Sequence, residues 1–383
     1  MTTSDVDVSS AQRVAQVRSG RSLTPDLARG LGMAGVVLVN ASMVTVVPVR
    51  STLDAIAEFV VTLLLEGRSW PMFALMFGWG LAASAASLER RGLTRPLVLR
   101  TLRRRGGWLI VFGLVQSVLY FSLDILGIYG LTAVVLAGMV FWSSRARWTL
   151  VALALVPWPF FTAIGEVWLD DGEDTGWEAT TYLLSVAERL AIVLGGMSAA
   201  TLALAVVPPM VVGLELHRRG ALRRPEDHLA LHRRLVAWGL PLGLLGGLPW
   251  ALVDAGWWGA GQGWSAVALF VHLETGVLQG VAYVSLLALW QVRAAGRPGR
   301  AGRALAAVGQ RSLTVYLVHA LLLSLTLSPW ALDLTSSLSL AGTYAWATAV
   351  WLLCAALALA LHAAGRSGPA ETALRHVVAR KVD

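Results

Sequence analysis

About ten apolar runs, each close to the length of a membrane-crossing helix, are separated along this chain by short clusters of arginine. They lie near 30–48, 70–88, 107–123, 125–142, 148–165, 190–214, 235–253, 265–290, 312–330 and 341–362. A helix that crosses the bilayer core needs roughly 20 apolar residues, and in hydrocarbon only a helix or a closed barrel satisfies its own backbone. The chain shows neither strand alternation nor a heptad repeat, so the runs predict helices. Composition closes the soluble alternative: 56% of residues are hydrophobic and only 14% charged, whereas soluble chains are about a quarter charged. The expected fold is an all-α polytopic transmembrane helix bundle of about ten spans, with short loops and no sizeable soluble domain.

Lysine and arginine give the bundle its sidedness, because positive loops stay in the cytoplasm. Of 31 such residues, 28 fall in the N-terminal arm, the loops 89–106, 143–147, 215–234 and 291–311, and the tail. Only Arg50, Arg68 and Arg189 fall in the alternate loops, which hold most of the acids. Both termini are therefore expected in the cytoplasm. The expected organisation is an arm (1–29), a membrane bundle of about eight helices (30–290), a basic loop (291–311), a C-terminal helix pair (312–362) and a tail (363–383). The arm is too long for a signal-peptide head and lacks a small-residue cleavage site, so the first helix is read as retained. The segment 51–66, short and acidic, is expected to lie as an amphipathic helix at the outer interface.

The pI near 10.5 does not point to nucleic acid, since the basic residues sit in short clusters between apolar runs, as in loops facing anionic lipid. The single cysteine, Cys354, excludes an internal disulfide and a thiolate-rich metal site. No metal site or bound cofactor is expected. No Walker loop, dinucleotide-binding glycine motif, H-E-x-x-H or G-x-S-x-G is present. Many of the 17 tryptophans lie near run ends, as in an interfacial aromatic belt. The expected location is a cell membrane, multi-pass, in a bacterium the plasma membrane. The expected partners are the bilayer and a small-molecule or lipid substrate, with homo-oligomerisation left open.

Polar groups inside a span are costly and are functional candidates by default. Asp26, Arg29, Met33, Val37 and Asn40 form one helical stripe on the first run. The alternative is a helix-start ion pair followed by a helix–helix hydrogen bond. Ser312, Tyr316 and His319 share a face of the ninth run, and a neutral imidazole there can act as a general base or as a buried structural group. His272 and Glu274 sit two residues apart in the eighth run and do not share a face, whereas Gln279 shares that of His272. Asp124, in the tight turn after the third run, is either a polar site or a helix cap. Gly78, Ala82 and Ala86 form a small-xxx-small ridge suited to close helix packing.

Five segments in order carry a family resemblance. Leu23-Thr-Pro-Asp-Leu-Ala-Arg-Gly-Leu-Gly through Asn40, Phe73-Ala-Leu-Met-Phe-Gly-Trp-Gly80, and Arg103-Arg-Arg with Gly113-Leu-Val-Gln116 and Asp124-Ile-Leu-Gly-Ile-Tyr129 form the first three. Val308-Gly-Gln-Arg-Ser-Leu-Thr-Val-Tyr-Leu-Val-His319 and Gly368-Pro-Ala-Glu-Thr-Ala-Leu-Arg375 complete them. Together they resemble the YeiB-like family, domain of unknown function 418, which is similar to transmembrane acyltransferases of the heparan-α-glucosaminide N-acetyltransferase type. The resemblance implies transfer of an acyl group from cytosolic acyl-CoA to a membrane or extracytoplasmic acceptor. It implies acyl-CoA as co-substrate, with Arg103, Arg104, Arg105 or Arg303 meeting its phosphates. It places Asp26, Arg29, Asn40 and His319 at the catalytic cavity, with His319 as the base. Gln116 stands where the family often has histidine, and the loop after the first helix lacks the histidine the acetyltransferases use. The alternatives carried forward are a transporter or efflux protein for a small solute or lipid, and a membrane scaffold.

Overall fold

The computed structural model describes residues 22–44, 47–121, 125–165, 167, 180–195, 197–294 and 297–379, and among these there is no strand. The first half supplies helices α1 (Thr24–Val44), α2 (Thr52–Leu64), α3 (Ser69–Arg90), α4 (Arg95–Leu119) and α5 (Ile125–Leu136). A 3-10 turn, Ala137–Phe141, leads into α6 (Ser144–Leu155), α7 (Pro157–Ile164), α8 (Tyr182–Gly195) and α9 (Met197–Arg218). The second half supplies α10 (Leu229–Asp254), α11 (Gln262–Arg293), α12 (Arg300–Gln310), α13 (Ser312–Leu327), α14 (Leu340–Ala363) and α15 (Pro369–Ala379).

Among the described residues, six stretches are long and apolar enough to cross a bilayer: α1, α2 with α3, α6 with α7, α10 with its preceding turn, α11 and α14. Helices α12 and α13 together make a seventh, bent by 87°. The chain is a multi-pass membrane protein. Its exposed side chains fit that solvent, for Leu153, Leu183, Trp238 and Leu245 all lie open on the surface. The expected spans 107–123, 125–142 and 190–214 do not join the six, the last being divided between α8 and α9. The first falls in α4, whose opening half carries five arginines, and the second becomes the shorter helical stretch Ile125–Phe141.

Close packing rests on glycine pairs. A Cβ on Gly78 would fall 2.0 Å from the Met210 carbonyl oxygen, and one on Gly213 would fall 1.8 Å from that of Leu75. Helices α3 and α9 therefore touch backbone to backbone, as the small-residue ridge leads one to expect. Helices α1 and α12 cross in the same way, through Gly30 against Leu305 and Gly309 against Asp26.

Helix α2 forms where the acidic segment 51–66 predicts one, but its polar face points inward. Leu53, Ile56 and Val60 are exposed, whereas Asp54 and Thr62 are fully buried. The Asp54 carboxylate accepts from Ser51 Oγ, the cap of α2, at 2.9 Å and from the Ala341 backbone N–H at 2.9 Å, so one side chain ties the start of α2 to the start of α14. One and two turns further along, Tyr344 donates to Glu58 at 2.7 Å and Thr62 donates to Asp254 at 2.5 Å. The leucine, isoleucine and valine face is the one left for lipid.

Candidate functional site

A cavity of about 580 Å³ opens between α1, α3, α4, α5 and α13, closed by α15 and the segment before it. Its charged lining residues, Asp26, Arg29, Arg105, Arg311, Arg366 and Glu371, come from segments that the charge pattern assigns to one membrane face. The break between α12 and α13 makes room for it. Gly309 brings the chain against the Asp26 backbone, and the bend at Arg311 turns Gln310–Leu313 to the cavity.

The mouth is basic. Arg29, Arg105, Arg311 and Arg366 line it against two acids, Asp26 and Glu371. Asp26 lies 3.4 Å from Arg29 and accepts from Gln310 Nε2 at 3.1 Å. Arg311 donates to the Arg366 carbonyl at 2.6 Å, tying α13 to the C-terminal segment. Arg105 reaches Ser84 Oγ at 3.4 Å, and its buried Nε has no hydrogen-bond partner. Deeper walls are apolar, built from Met33, Val36, Phe77, Leu109 and Leu126. A cavity with a guanidinium-rich rim and an oily interior suits an anionic amphiphile, because arginine binds phosphate or carboxylate in a bidentate fork.

Glu371 has a structural task within that rim. Its carboxylate accepts from the backbone N–H groups of Leu313 and Thr314 at 2.8 and 3.2 Å and from Thr314 Oγ1 at 2.6 Å. These are the open donors of the α13 N-terminus, where a negative charge is favoured by the helix dipole. Glu371→Gln is expected to cost about 1–2 kcal/mol and to raise the rate of proteolysis in the tail after Gly365, measured by limited digestion in detergent.

The residues singled out by sequence divide into groups. Asp26, Arg29, Tyr316 and Arg105 line the cavity. Asn40 and His319 meet each other instead: Asn40 Nδ2 lies 3.1 Å from His319 Nε2, and both are buried. His319 Nδ1 donates to the Val315 carbonyl at 3.1 Å, so Nε2 carries the lone pair and accepts from the asparagine amide. Both ring nitrogens are committed, and the geometry gives the ring no lone pair to offer a substrate. Arg103 and Arg303 are exposed and donate to the Val134 and Pro298 carbonyls, and Arg104 donates to that of Val377. Asp124 lies outside the described residues.

His272 belongs to a second polar cluster, at the other face, that the sequence hid. Arg68, assigned to an outer loop, is fully buried. It donates to Gln279 Oε1 at 3.0 Å and to the Glu66 carbonyl at 2.8 Å, and its Nη1 lies within 2.9 Å of the His272 ring nitrogens. Its guanidinium occupies space left by glycine: a Cβ on Gly247 would fall 1.9 Å from Nη2. Two signals mark the position, a helix break at Gly67 with φ +64 and the run Gly243, Gly246, Gly247. Glu274 is half-buried, and its Oε1 has no hydrogen-bond partner.

Residues 216–381 match the family model described as a protein of unknown function, DUF418. They form a DUF418 region. No curated protein matches the chain. The DUF418 region runs from the end of α9 through α15, and it supplies Gln310–Leu313, Tyr316 and the C-terminal wall of the cavity. Asp26, Arg29, Arg105 and the aromatic wall of α3 come from outside it.

Proposed function

We propose that this protein is a membrane-embedded acyl-CoA-binding acyltransferase. Its arginine-rich face is the cytoplasmic one, with about ten spans and both termini there, in the plasma membrane of a bacterium. The observation that carries the reading is the cavity itself: four arginines at the rim, with apolar walls behind them. Phosphates of acyl-CoA sit at Arg29, Arg105 and Arg311, and the acyl end reaches inward along Met33, Phe77 and Leu109. Transfer breaks the thioester C–S bond, forms a bond from the acyl carbon to an acceptor oxygen or nitrogen, and passes the acceptor's proton to the CoA sulfur. In this reading Arg105 takes the phosphate role in place of Arg103, Arg104 and Arg303, which bond to backbone away from the cavity.

The second reading is transport of an anionic amphiphile without covalent change. What favours it is the closed Asn40–His319 pair, which leaves the proposed base occupied. Purified protein given radiolabelled acetyl-CoA and longer acyl-CoA separates the two: labelled product or stimulated CoA release supports transfer, and flux into liposomes without either supports transport.

Two variants sharpen the test. Arg105→Gln is expected to weaken acyl-CoA binding roughly tenfold or more, since a hydrogen bond to a charged group contributes about 1.5–3 kcal/mol. Arg103→Gln, at an exposed position, is expected to change it less than about twofold, on the small effects typical of exposed charges. Calorimetric titration at two salt concentrations checks both. His319→Ala is expected to lower thermal stability by about 1–3 kcal/mol, by orphaning the Asn40 amide, while leaving acyl-CoA affinity unchanged.

A further inference from the structure

Phosphates at Arg29, Arg105 and Arg311 leave the fourth rim arginine, Arg366, without a role. It lines the same cavity, from the short segment between α14 and α15. Its side chain is exposed, and among the described residues its guanidinium makes no hydrogen bond or ion pair. Arg311 offers the contrast. Its Nε and Nη2 donate to the Arg366 carbonyl, and its Nη1 donates to that of Ala307. The guanidinium of Arg311 is spent largely on backbone, whereas Arg366 keeps its whole donor fork.

The main chain fixes where that fork starts. Past the end of α14, Gly365 takes φ +66. Its N–H donates to the His362 carbonyl, and the Arg366 N–H donates to that of Leu361. These two bonds make a Schellman motif, which needs the left-handed residue that glycine supplies. Arg311 holds the Arg366 carbonyl from the other side at 2.6 Å. Position 366 is thus anchored from two directions while its side chain stays uncommitted, and anchoring in advance lowers the ordering cost of binding. Ser367 and His362 share this lip, both exposed and both lining the cavity. The two rim acids have other partners: Glu371 is engaged with the start of α13, and Asp26 with Arg29 and Gln310.

An acyl-CoA differs from a simpler anionic amphiphile in carrying phosphate at two separate places. A diphosphate joins its pantetheine arm to the ribose, and a phosphate monoester hangs from the ribose itself. With the acyl end inward along Met33, Phe77 and Leu109, the ribose stays at the water-facing lip. We propose that Arg366 is the residue that selects for the ribose 3′-phosphate of acyl-CoA, with Ser367 and His362 at its sides. The inference rests on the acyl-CoA reading of the cavity. It adds that acyl donors lacking the monoester, such as the dephospho form of the coenzyme or a phosphopantetheine arm alone, are discriminated against. A terminal phosphate presents two oxygens to a guanidinium fork. Exposure to water discounts the gain, so a preference of about fivefold is expected rather than the larger effect of a buried pair.

Acetyl-CoA and 3′-dephospho-acetyl-CoA differ by that one group. Calorimetric titration of the purified full-length protein with each, at low salt, gives a ratio of affinities. The wild-type protein is expected to prefer acetyl-CoA by about fivefold or more. Arg366→Gln is expected to bring the ratio below about twofold by weakening acetyl-CoA alone. Arg366→Lys, which keeps the charge, is expected to hold the ratio above that level. Arg105→Gln is expected to weaken both ligands and leave the ratio unchanged. The glutamine variant at 366 retains the carbonyl that Arg311 holds and the N–H that closes α14, so its melting temperature is expected to match the wild type. Equal affinities in the wild-type protein, or a preference that survives Arg366→Gln, would overturn this inference and leave the acyl-CoA reading standing. Binding of neither ligand would end both.

Discussion

Glu215→Ala is expected to destabilise the protein by about 3–5 kcal/mol, the usual effect of removing one partner from a buried ion pair. Arg147 is fully buried at the start of α6, and its Nε donates to Glu215 Oε1 at 2.8 Å, with Nη2 2.6 Å from the same oxygen but out of line for a hydrogen bond. Ser144 Oγ donates to that oxygen at 3.0 Å. The pair clamps the end of α9 to the turn before α6, where Arg147 also donates to the Met139 and Trp142 carbonyls. Loss of the carboxylate strands a guanidinium in the packed interior. The double variant Arg147→Met with Glu215→Leu is expected to recover most of the loss, because an apolar pair of similar volume removes the uncompensated charge. Thermal unfolding in detergent, followed by monodispersity, reads both.

Gly309→Val is expected to remove acyl-CoA binding and to cost at least about 1–3 kcal/mol of stability, the range for overpacking a close contact. The contact is severe because the added Cβ would fall 1.8 Å from the Asp26 carbonyl oxygen, and backbone cannot swing aside. Helices α1 and α12 must separate, and Asp26, Arg29 and Gln310, which share the cavity wall, move with them. Gly165→Ala supplies the control, since a Cβ there meets nothing within 4 Å. Parallel calorimetry of the two variants shows whether ligand binding is lost through the crossing or through a general loss of fold.

The parts of this molecule that were legible in the sequence are those that periodicity determines. The stripe Asp26, Arg29, Met33 needed only the helical repeat, and the cavity wall follows it. Partners were not legible, because a sequence shows which residues share a face but not which faces meet. Asn40 and His319 were singled out separately for catalysis, yet they are 279 residues apart and bond to each other. Among three consecutive arginines, each turned about 100° from the last, only one could continue the stripe of Leu109. That was Arg105, four residues before it. Helix α2 shows another limit. Alternation of acids with leucine and valine marks two faces, and the usual rule sends the acids to water; in lipid the apolar face is the one that needs no partner. Arg68 was hidden for a similar reason, since a lone arginine between runs looks like a loop until the glycines that cradle it come from another helix.

The central claim is that the arginine-rimmed cavity is where an acyl-CoA binds. A photoactivatable acyl-CoA analogue, crosslinked to the purified full-length protein and mapped by peptide mass spectrometry, tests it most directly. Labels are expected on the peptides carrying Met33, Phe77 and Leu109, suppressed by excess unlabelled acyl-CoA and lost in Arg105→Gln. Labels confined to lipid-facing residues such as Leu153 and Leu245, or labels that excess ligand fails to suppress, would contradict it.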